Sequence, residues 1–573
     1  MHHKHKGVSL AELNETEVAM WHSPTPPSYY TLDFDDEDHE SRHGTLMIMH
    51  GIFMSLAFFV SLPAGIALRS VKHAAHGLAT LSFYGFCALG CASSGLYRKL
   101  TPNMCVNHDA AHRSQGYFFI LVTIALSALD IVAAIQRFII YIRSADKSFK
   151  SFWRIVVKSE SERSGPEYEG LIEDTEDASN IKLSRDSVEL QEVNLGEVSE
   201  DSHTQQWANS MRQHQRQYST MSERTVFDVH SPTNLSDDTL EDSKLHRKLL
   251  KRRGLLSRIG QAAFLLTERS LVLAGFAEVL IGIVTYTGGC RGSYVNGCLA
   301  HLIKGGIFWS YGLFSFGRFL GAFADRGWAW NIAPSEGFNT AEFVESFLIF
   351  FYGVTNTWME RFGAKAGDPF TTKQIQHISI AVMFCFAGLV GMGIESKSVR
   401  KWLAASAFAT LAHPSEMPRE AVEEPPSYRG SFNPFPALVI GVTGAAMAAH
   451  FQTYVFQVQI HSLWGNLLVG AAVLRCLTYF LLWLGPPKSI LPSRPPTEAL
   501  SSFFLACGGL VFMFSTEEVT LAAMRRGRDD VMMFLNVAVA ITCLACCWTL
   551  GIVGFKGWLK SRSQTTVTFR NAA

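Results

Sequence analysis

The sequence predicts an all-α fold, a polytopic transmembrane helical bundle of about eleven helices with a long disordered cytosolic linker. Apolar residues make up 48% of the 573 residues and charged residues only 17%, against about 25% charged in an ordinary soluble domain. The charges gather between apolar blocks, and those blocks approach the roughly 20 residues that a helix needs to cross hydrocarbon. Fifty basic and fifty acidic residues cancel. The overall balance therefore gives no footprint for nucleic acid, and the partner implied by composition is the lipid bilayer.

Residues 1–43 are polar and acidic. They open on Met-His-His-Lys-His-Lys-Gly, lack the apolar core of a cleavable signal peptide, and read as a disordered tail. Three runs, Leu46 to Leu68, Ala75 to Leu96 and Tyr117 to Ile142, then form a three-helix membrane domain over 44–143. The interval 144–254 is rich in Ser, Glu, Asp, Gln and Asn and poor in aliphatics. Such a segment cannot offset its ordering entropy, so it reads as a disordered linker able to bind cytosolic partners. Eight further runs fill 255–562: Leu271 to Tyr286, Leu302 to Ala324, Phe343 to Met359, Ile378 to Ile394, Ala437 to Tyr454, Leu463 to Leu484, Leu500 to Phe514, and Met532 to Gly554. Residues 563–573 form a short tail.

Lys and Arg favour the cytoplasmic side of a span. Arg137, Arg143, Lys147, Lys150, Arg154 and Lys158 follow the third helix, which sets that end and the C-terminus in the cytosol and the N-terminus outside or in a lumen. The sequon Asn14-Glu-Thr16 then falls on the outer side. Arg98, Lys99, Arg525, Arg526 and Arg528 oppose the assignment. The membrane itself is the plasma membrane or an endomembrane. Eight of eleven cysteines lie in apolar runs and behave as small hydrophobes. Cys290 and Cys298 instead flank a polar loop, and close a small disulfide if that loop faces an oxidising compartment.

His50 lies near the outer end of the first helix, followed by Gly51, and His112 and Gly116 stand at the entry of the third. Two imidazoles at one depth on neighbouring helices suit the axial positions of a b-type haem, and glycines let a flat macrocycle approach backbone. The stretch His50-Gly-Ile-Phe-Met, Leu62-Pro-Ala-Gly, Arg69, His76 and His112-Arg-Ser-Gln-Gly resembles the ascorbate-reducible transmembrane cytochrome b family. That resemblance implies haem pairs between the first and third and between the second and fourth histidine helices. The fourth helix here offers no histidine to partner His76, so the resemblance carries over one haem b, through His50 and His112, with His76 the weaker candidate. The alternative reading of these histidines is helix packing at the interface.

Downstream, Gly305-Gly-Ile-Phe-Trp-Ser-Tyr-Gly, Gly317-Arg-Phe-Leu-Gly-Ala-Phe-Ala, Gly327-Trp-Ala-Trp-Asn, Phe343-Val-Glu-Ser-Phe, His377-Ile-Ser-Ile-Ala and His461-Ser-Leu-Trp-Gly resemble the fungal Ytp-type integral membrane proteins. That likeness runs from about Arg269 to Arg562 and implies a fold rather than an activity.

Ionisable residues at membrane depth are costly and mark functional or strongly structural sites. Glu278, Arg318, Glu345 and Arg475 are such residues, with Arg318 and Glu345 the expected pair, and Asp130 stands alone in the third helix. They suit either a charge-paired lock or a proton or ion pathway. His377, His450, His461 and Glu360 lie near outer helix ends with His301, and imidazole with carboxylate suits zinc or iron. No phosphate-binding glycine loop, serine elbow or HExxH helix appears, which argues against a hydrolase or nucleotide-driven pump. Three functional classes remain: a b-type haem redox protein or a degenerate relative of one, an ion-coupled transporter or channel, and a non-catalytic membrane organiser or sensor.

Overall fold

The structure, a computed structural model, describes residues 8–22, 28, 30, 43–101, 111–144, 147–153, 155, 239–331, 339–359, 367, 369–409, 432–485, 489 and 491–563. All eleven expected apolar runs fall largely on helix. Seven helices are long and apolar enough to cross a membrane, and eight when one bent pair counts as a single span. The protein is a polytopic helical bundle.

The first span, α2 (Gly44–Ser70), widens into a π turn over Ala57–Ser61 just ahead of Pro63. Proline removes a helix donor, and a π turn absorbs such a mismatch. The Phe59 carbonyl in the widened turn accepts a hydrogen bond from Trp548 Nε1 at 2.6 Å. A sequence irregularity thus becomes a tie to the last span. The second span is α3 (His76–Leu100). The third is broken into α4 (His112–Leu126) and α5 (Ala128–Arg143), bent by 62° about Ser127.

The long helix α6 runs Thr239–Thr287. It begins ahead of the expected boundary at 255, because its polar first turns continue without a break into the apolar run. Residues 160–263 form a unit of their own, whereas 1–159 and 264–573 form the main one. Expectations for 156–238, the bulk of the linker, lie outside the described residues.

The remaining helices are α7 (Val295–Phe319), α8 (Ala341–Met359), α9 (Thr372–Glu395), α10 (Lys397–Ala409), α11 (Phe435–Ala448), α12 (Val455–Leu484), α13 (Pro496–Phe514), α14 (Glu517–Arg525) and α15 (Val531–Ser563). Thr371 and Gln374 cap α9 reciprocally, each side chain taking the other residue's backbone N–H.

Lipid tails are as apolar as leucine, so close backbone approach, rather than a hydrophobic drive, brings membrane helices together. A Cβ on Gly312 would lie 2.5 Å from Ala506 N, and one on Gly305 2.6 Å from Gly509 O, so α7 and α13 touch backbone to backbone. Gly353 meets Cys385 between α8 and α9, and Gly444 meets Gly465 between α11 and α12, in the same way. Trp464, Ile460 and Leu468 are fully buried at the centre, and Trp464 stacks on Phe512 at 4.0 Å.

The tail expected to be disordered is partly ordered. Asn14 caps α1 (Glu15–Trp21) by accepting from the backbone N–H groups of Thr16 and Glu17. Leu10 pairs with Tyr454 in a short parallel bridge, and Val18 packs against Tyr294, Tyr454 and Leu521. The acidic composition hid two apolar residues, Leu13 and Val18, that pack this segment against the bundle.

Gly312→Ala should lower the thermal midpoint in detergent, because its methyl overpacks the α7–α13 contact at a cost of about 1–3 kcal/mol. Gly554→Ala, with nothing within 4 Å of the added carbon, should leave it unchanged.

Candidate functional site

Three groups of polar side chains stand within or beside the bundle. The first lies between α2, α4 and α6. His50 and His112 sit with ring centres 6.1 Å apart and planes at 89°. His50 Nδ1 lies 2.8 Å from the Gly90 carbonyl, which fixes that nitrogen as the donor. His112 Nδ1 lies 2.8 Å from Glu278 Oε2, a close charge contact without hydrogen-bond alignment. Each ring therefore directs Nδ1 to an acceptor. A Cβ on Gly282 would lie 3.1 Å from His112 Cε1, so this glycine makes room for the ring, whereas Gly51 and Gly116 face open space.

The second group ties three span ends together. Arg69 reaches Asp130 Oδ2 at 2.5 Å and Glu268 Oε1 at 3.1 Å, and lies over the Phe264 ring. It also donates to His76 Nε2, whose Nδ1 meets the Gly65 carbonyl at 3.0 Å. Both nitrogens of His76 are thus engaged, and Asp130 is not alone but pairs across the bundle.

The third group lies between α7, α8, α12 and α13. Arg318 Nη2 donates to Glu342 Oε1 at 2.6 Å and its Nε to the Trp328 carbonyl at 2.7 Å. Arg475 Nη2 donates to Glu498 Oε1 at 2.6 Å and to Ser315 Oγ at 3.2 Å. Trp330 lies under both guanidiniums, 3.9 Å from Arg318 and 5.0 Å from Arg475. Arg318 and Glu345 do meet, at 3.6 Å, but the tight partner of Arg318 is Glu342. Sequence reasoning missed Glu342 and Glu498. Each stands in the first turn of its helix, where a carboxylate reads as an ordinary N-terminal residue favoured by the helix dipole. Glu278, grouped with these charges from sequence, belongs to the His112 site instead.

The expected imidazole group divides. His377 faces His450 with ring centres 5.9 Å apart, whereas His461 faces His301 at 5.8 Å. Glu360 lies outside the described residues. Among the described residues, the one set of three metal-type donors within ligand distance is Cys290, Cys298 and Glu518, and its two sulfurs are joined in a disulfide.

Comparison with known proteins bears on all three groups. Residues 274–557 match the model of the protein YTP1-like C-terminal domain, and residues 34–136 match a domain of unknown function, DUF2427. An uncharacterized membrane protein of Schizosaccharomyces pombe is 32% identical over 542 residues, which is 93% of this chain and 98% of the relative. The chain belongs to the YTP1-like family. A second uncharacterized membrane protein, from Saccharomyces cerevisiae, is 36% identical over 54% of this chain and 51% of its own length. Protein YTP1 of the same yeast is 23% identical over 51% of this chain and 54% of its own length. No solved structure matches the chain. The matched segments place His50, His76, His112 and Asp130 in the first domain and the arginine-glutamate network in the second.

On one face of this YTP1-like protein, α1 is clasped to the bundle. Arg525 donates to both oxygens of Glu15, at 2.7 and 3.0 Å, and His22 stacks on Tyr294 while touching Ser293 and Glu517. The Arg525 hydrogen bond holds the Glu15 carboxyl below its ordinary value of 4.5. Burial pushes Glu518 the other way, although the Cys290 N–H donates to it at 2.7 Å.

Because the Glu15 value is depressed on folding, its clasp stabilises the docked helix above pH 4.5 and weakens as pH falls through the depressed value. Protection factors of the amides across residues 8–22, corrected for the intrinsic pH dependence of exchange, should therefore fall on acidification below that range. Arg525→Ala should give fast exchange at every pH, and an unchanged profile in this variant would refute the clasp.

Proposed function

We propose that this YTP1-like membrane protein is an electron carrier in which His50 and His112 hold one haem b. The observation that carries the reading is the geometry of that pair. An imidazole nitrogen binds a transition metal at about 2 Å, and His50 and His112 are the residues that would hold the haem iron. Their ring centres lie 6.1 Å apart. Nδ1 of each ring faces an acceptor, a backbone carbonyl for His50 and a carboxylate for His112. Metal-binding histidines are oriented by such partners, which leave Nε2 as the ligating atom. The open space beside Gly51 and Gly116 suits a flat macrocycle. When bound, a b-type haem supplies one-electron transfer. Of the chain's own residues, the Gly90 carbonyl orients His50, and the Glu278 carboxylate lies beside His112 Nδ1.

Arg69, His76, Asp130 and Glu268 serve this reading as a structural lock. His76 has no nitrogen left for a second ligand set, in keeping with a single haem. The α1 face lies outside the cell or in a lumen under this proposal. That face carries the exposed sequon residue Asn14 and the Cys290–Cys298 disulfide, both of which suit an oxidising, glycosylating compartment. Arg143, Lys560 and Arg562 cluster at the opposite helix ends. The opposing Arg525 is cancelled by Glu15.

A reduced-minus-oxidised visible spectrum of the purified full chain should show a b-type signal that disappears in His50→Ala and in His112→Ala. No signal from folded protein supplied with haem would remove this function. The topology has its own test: glycosidase treatment should increase gel mobility of the wild type and not of Asn14→Gln. Retention of that shift in the variant would place the glycan elsewhere.

A further inference from the structure

The charges buried between α7, α8, α12 and α13 do not balance. Three carboxyl groups, Glu342, Glu345 and Glu498, meet two guanidiniums, Arg318 and Arg475. Two of the carboxyls form tight one-to-one pairs at 2.6 Å, Glu342 with Arg318 and Glu498 with Arg475. Glu345 is left between them, 3.6 Å from Arg318 Nη1 and 3.4 Å from Arg475 Nη1. The other titratable groups facing the cluster are Tyr311 on α7 and Tyr479 on α12, and neither brings a positive charge. Among the described residues no third cation meets these carboxyls. A carboxylate without its own counter-charge is costly inside a bilayer, and such a group neutralises by taking a proton.

A second observation supplies the route. A small cavity beside the cluster is lined by Tyr311, Arg475 and Ser501 among apolar side chains, and the Tyr311 hydroxyl meets Glu345, which links the carboxyl to that cavity. Arg475 Nε and Glu498 Oε2 are buried beside one another's residues with no hydrogen-bond partner, although Arg475 is only 5% exposed and Glu498 0%. Buried polar atoms of this kind are met by ordered water where a polar cavity adjoins them.

We propose that Glu345 is a proton-binding site within the membrane, exchanging one proton with water held in the cavity bordered by Tyr311, Arg475 and Ser501. Uptake converts the Glu345 carboxylate to the neutral acid and brings the cluster from one net negative charge to none. Release restores the carboxylate and hands the proton to the cavity water. No electron or bond to another group is involved, so the site works with or without a haem at His50 and His112. Glu342 and Glu498 hold the two arginines in place around it, and Trp330 supports both guanidiniums from below through cation–π contact.

Infrared spectroscopy of the full chain in lipid nanodiscs tests the assignment. The spectrum of the wild type minus that of Glu345→Gln should contain one protonated-carboxyl stretching band that shifts on exchange into heavy water. Glutamine copies the neutral acid, so this variant should melt at the wild-type temperature, whereas Glu498→Gln should melt several degrees lower. The absence of that band from the difference spectrum would overturn the proposal. A fall in melting temperature for Glu345→Gln as large as that for Glu498→Gln would do the same, since Glu345 would then be acting as an ionised partner. So would a wild-type melting temperature that rises with sodium while the band is missing, which would assign the balancing charge to a metal cation.

Discussion

A guanidinium in a bilayer has no water to turn to, and the C-terminal half of this YTP1-like protein is arranged around that fact. Arg318 and Arg475 stand on α7 and α12, and their tight partners stand on α8 and α13. Four helices are thereby joined through side chains that cannot leave the cluster singly, because departure of one partner strands a buried charge at a cost of about 3–5 kcal/mol. The glycine contacts follow from the same requirement. The backbone contact of Gly312 with Ala506 brings α7 onto α13, so the helix of Arg318 lies against the helix that carries the partner of Arg475. Close packing and charge pairing are therefore two aspects of one constraint.

The N-terminal half meets its polar groups differently. Arg69 gathers Asp130, His76 and Glu268 at one end of the spans, where a cluster can be partly hydrated, and these groups are more exposed than the arginine pairs downstream. Further along the same helices, His50 is satisfied from one side by a backbone carbonyl, and His112 has only a charge contact with Glu278. The π turn in α2 belongs to this looser construction. It releases a carbonyl from the helix ladder, and Trp548 of the last span takes it up, so that the first and last spans are fastened by a bond that a regular helix would not offer.

Much of this was legible in the sequence, and the reason is local. Apolar runs of spanning length are contiguous, so the eleven predicted runs fall largely on helix, although the third is split between two helices and seven or eight helices are long and apolar enough to cross. Cys290 and Cys298 are separated by eight positions, and the turn between them brings their Cα atoms to 5.3 Å. His50 and His112 could be paired because both stand near the N-terminal ends of spans that run in the same direction. The arginine network was only half legible. Arg475 and Glu345 are 130 positions apart, and nothing in hydropathy says which faces of their helices meet. Glu342 was masked by its neighbour Glu345, which lies one turn deeper and draws attention as the intramembrane charge. The ordered part of the N-terminal segment was missed for a different reason. Its helix is short and acidic, and its stability comes from Arg525 and Tyr454, residues more than 400 positions away.

The two sites answer to different aspects of membrane chemistry. Under the proposed function an electron carrier would need a cofactor slot at His50 and His112, whose neighbours Gly51 and Gly116 face open space. A proton site needs the reverse: a rigid, dry surround in which one carboxyl is in surplus and a water-sized opening lies beside it. Arg318 and Arg475 can hold their positions whether Glu345 is charged or neutral, because each keeps a tight carboxylate of its own and the Trp330 ring in either state. The surplus carboxyl can then change charge without the network coming apart. A network with equal numbers of acids and bases would have no such freedom, since any proton taken up would break a pair. The fifth charged side chain, redundant for holding the helices together, is what makes the cluster able to do more than hold them.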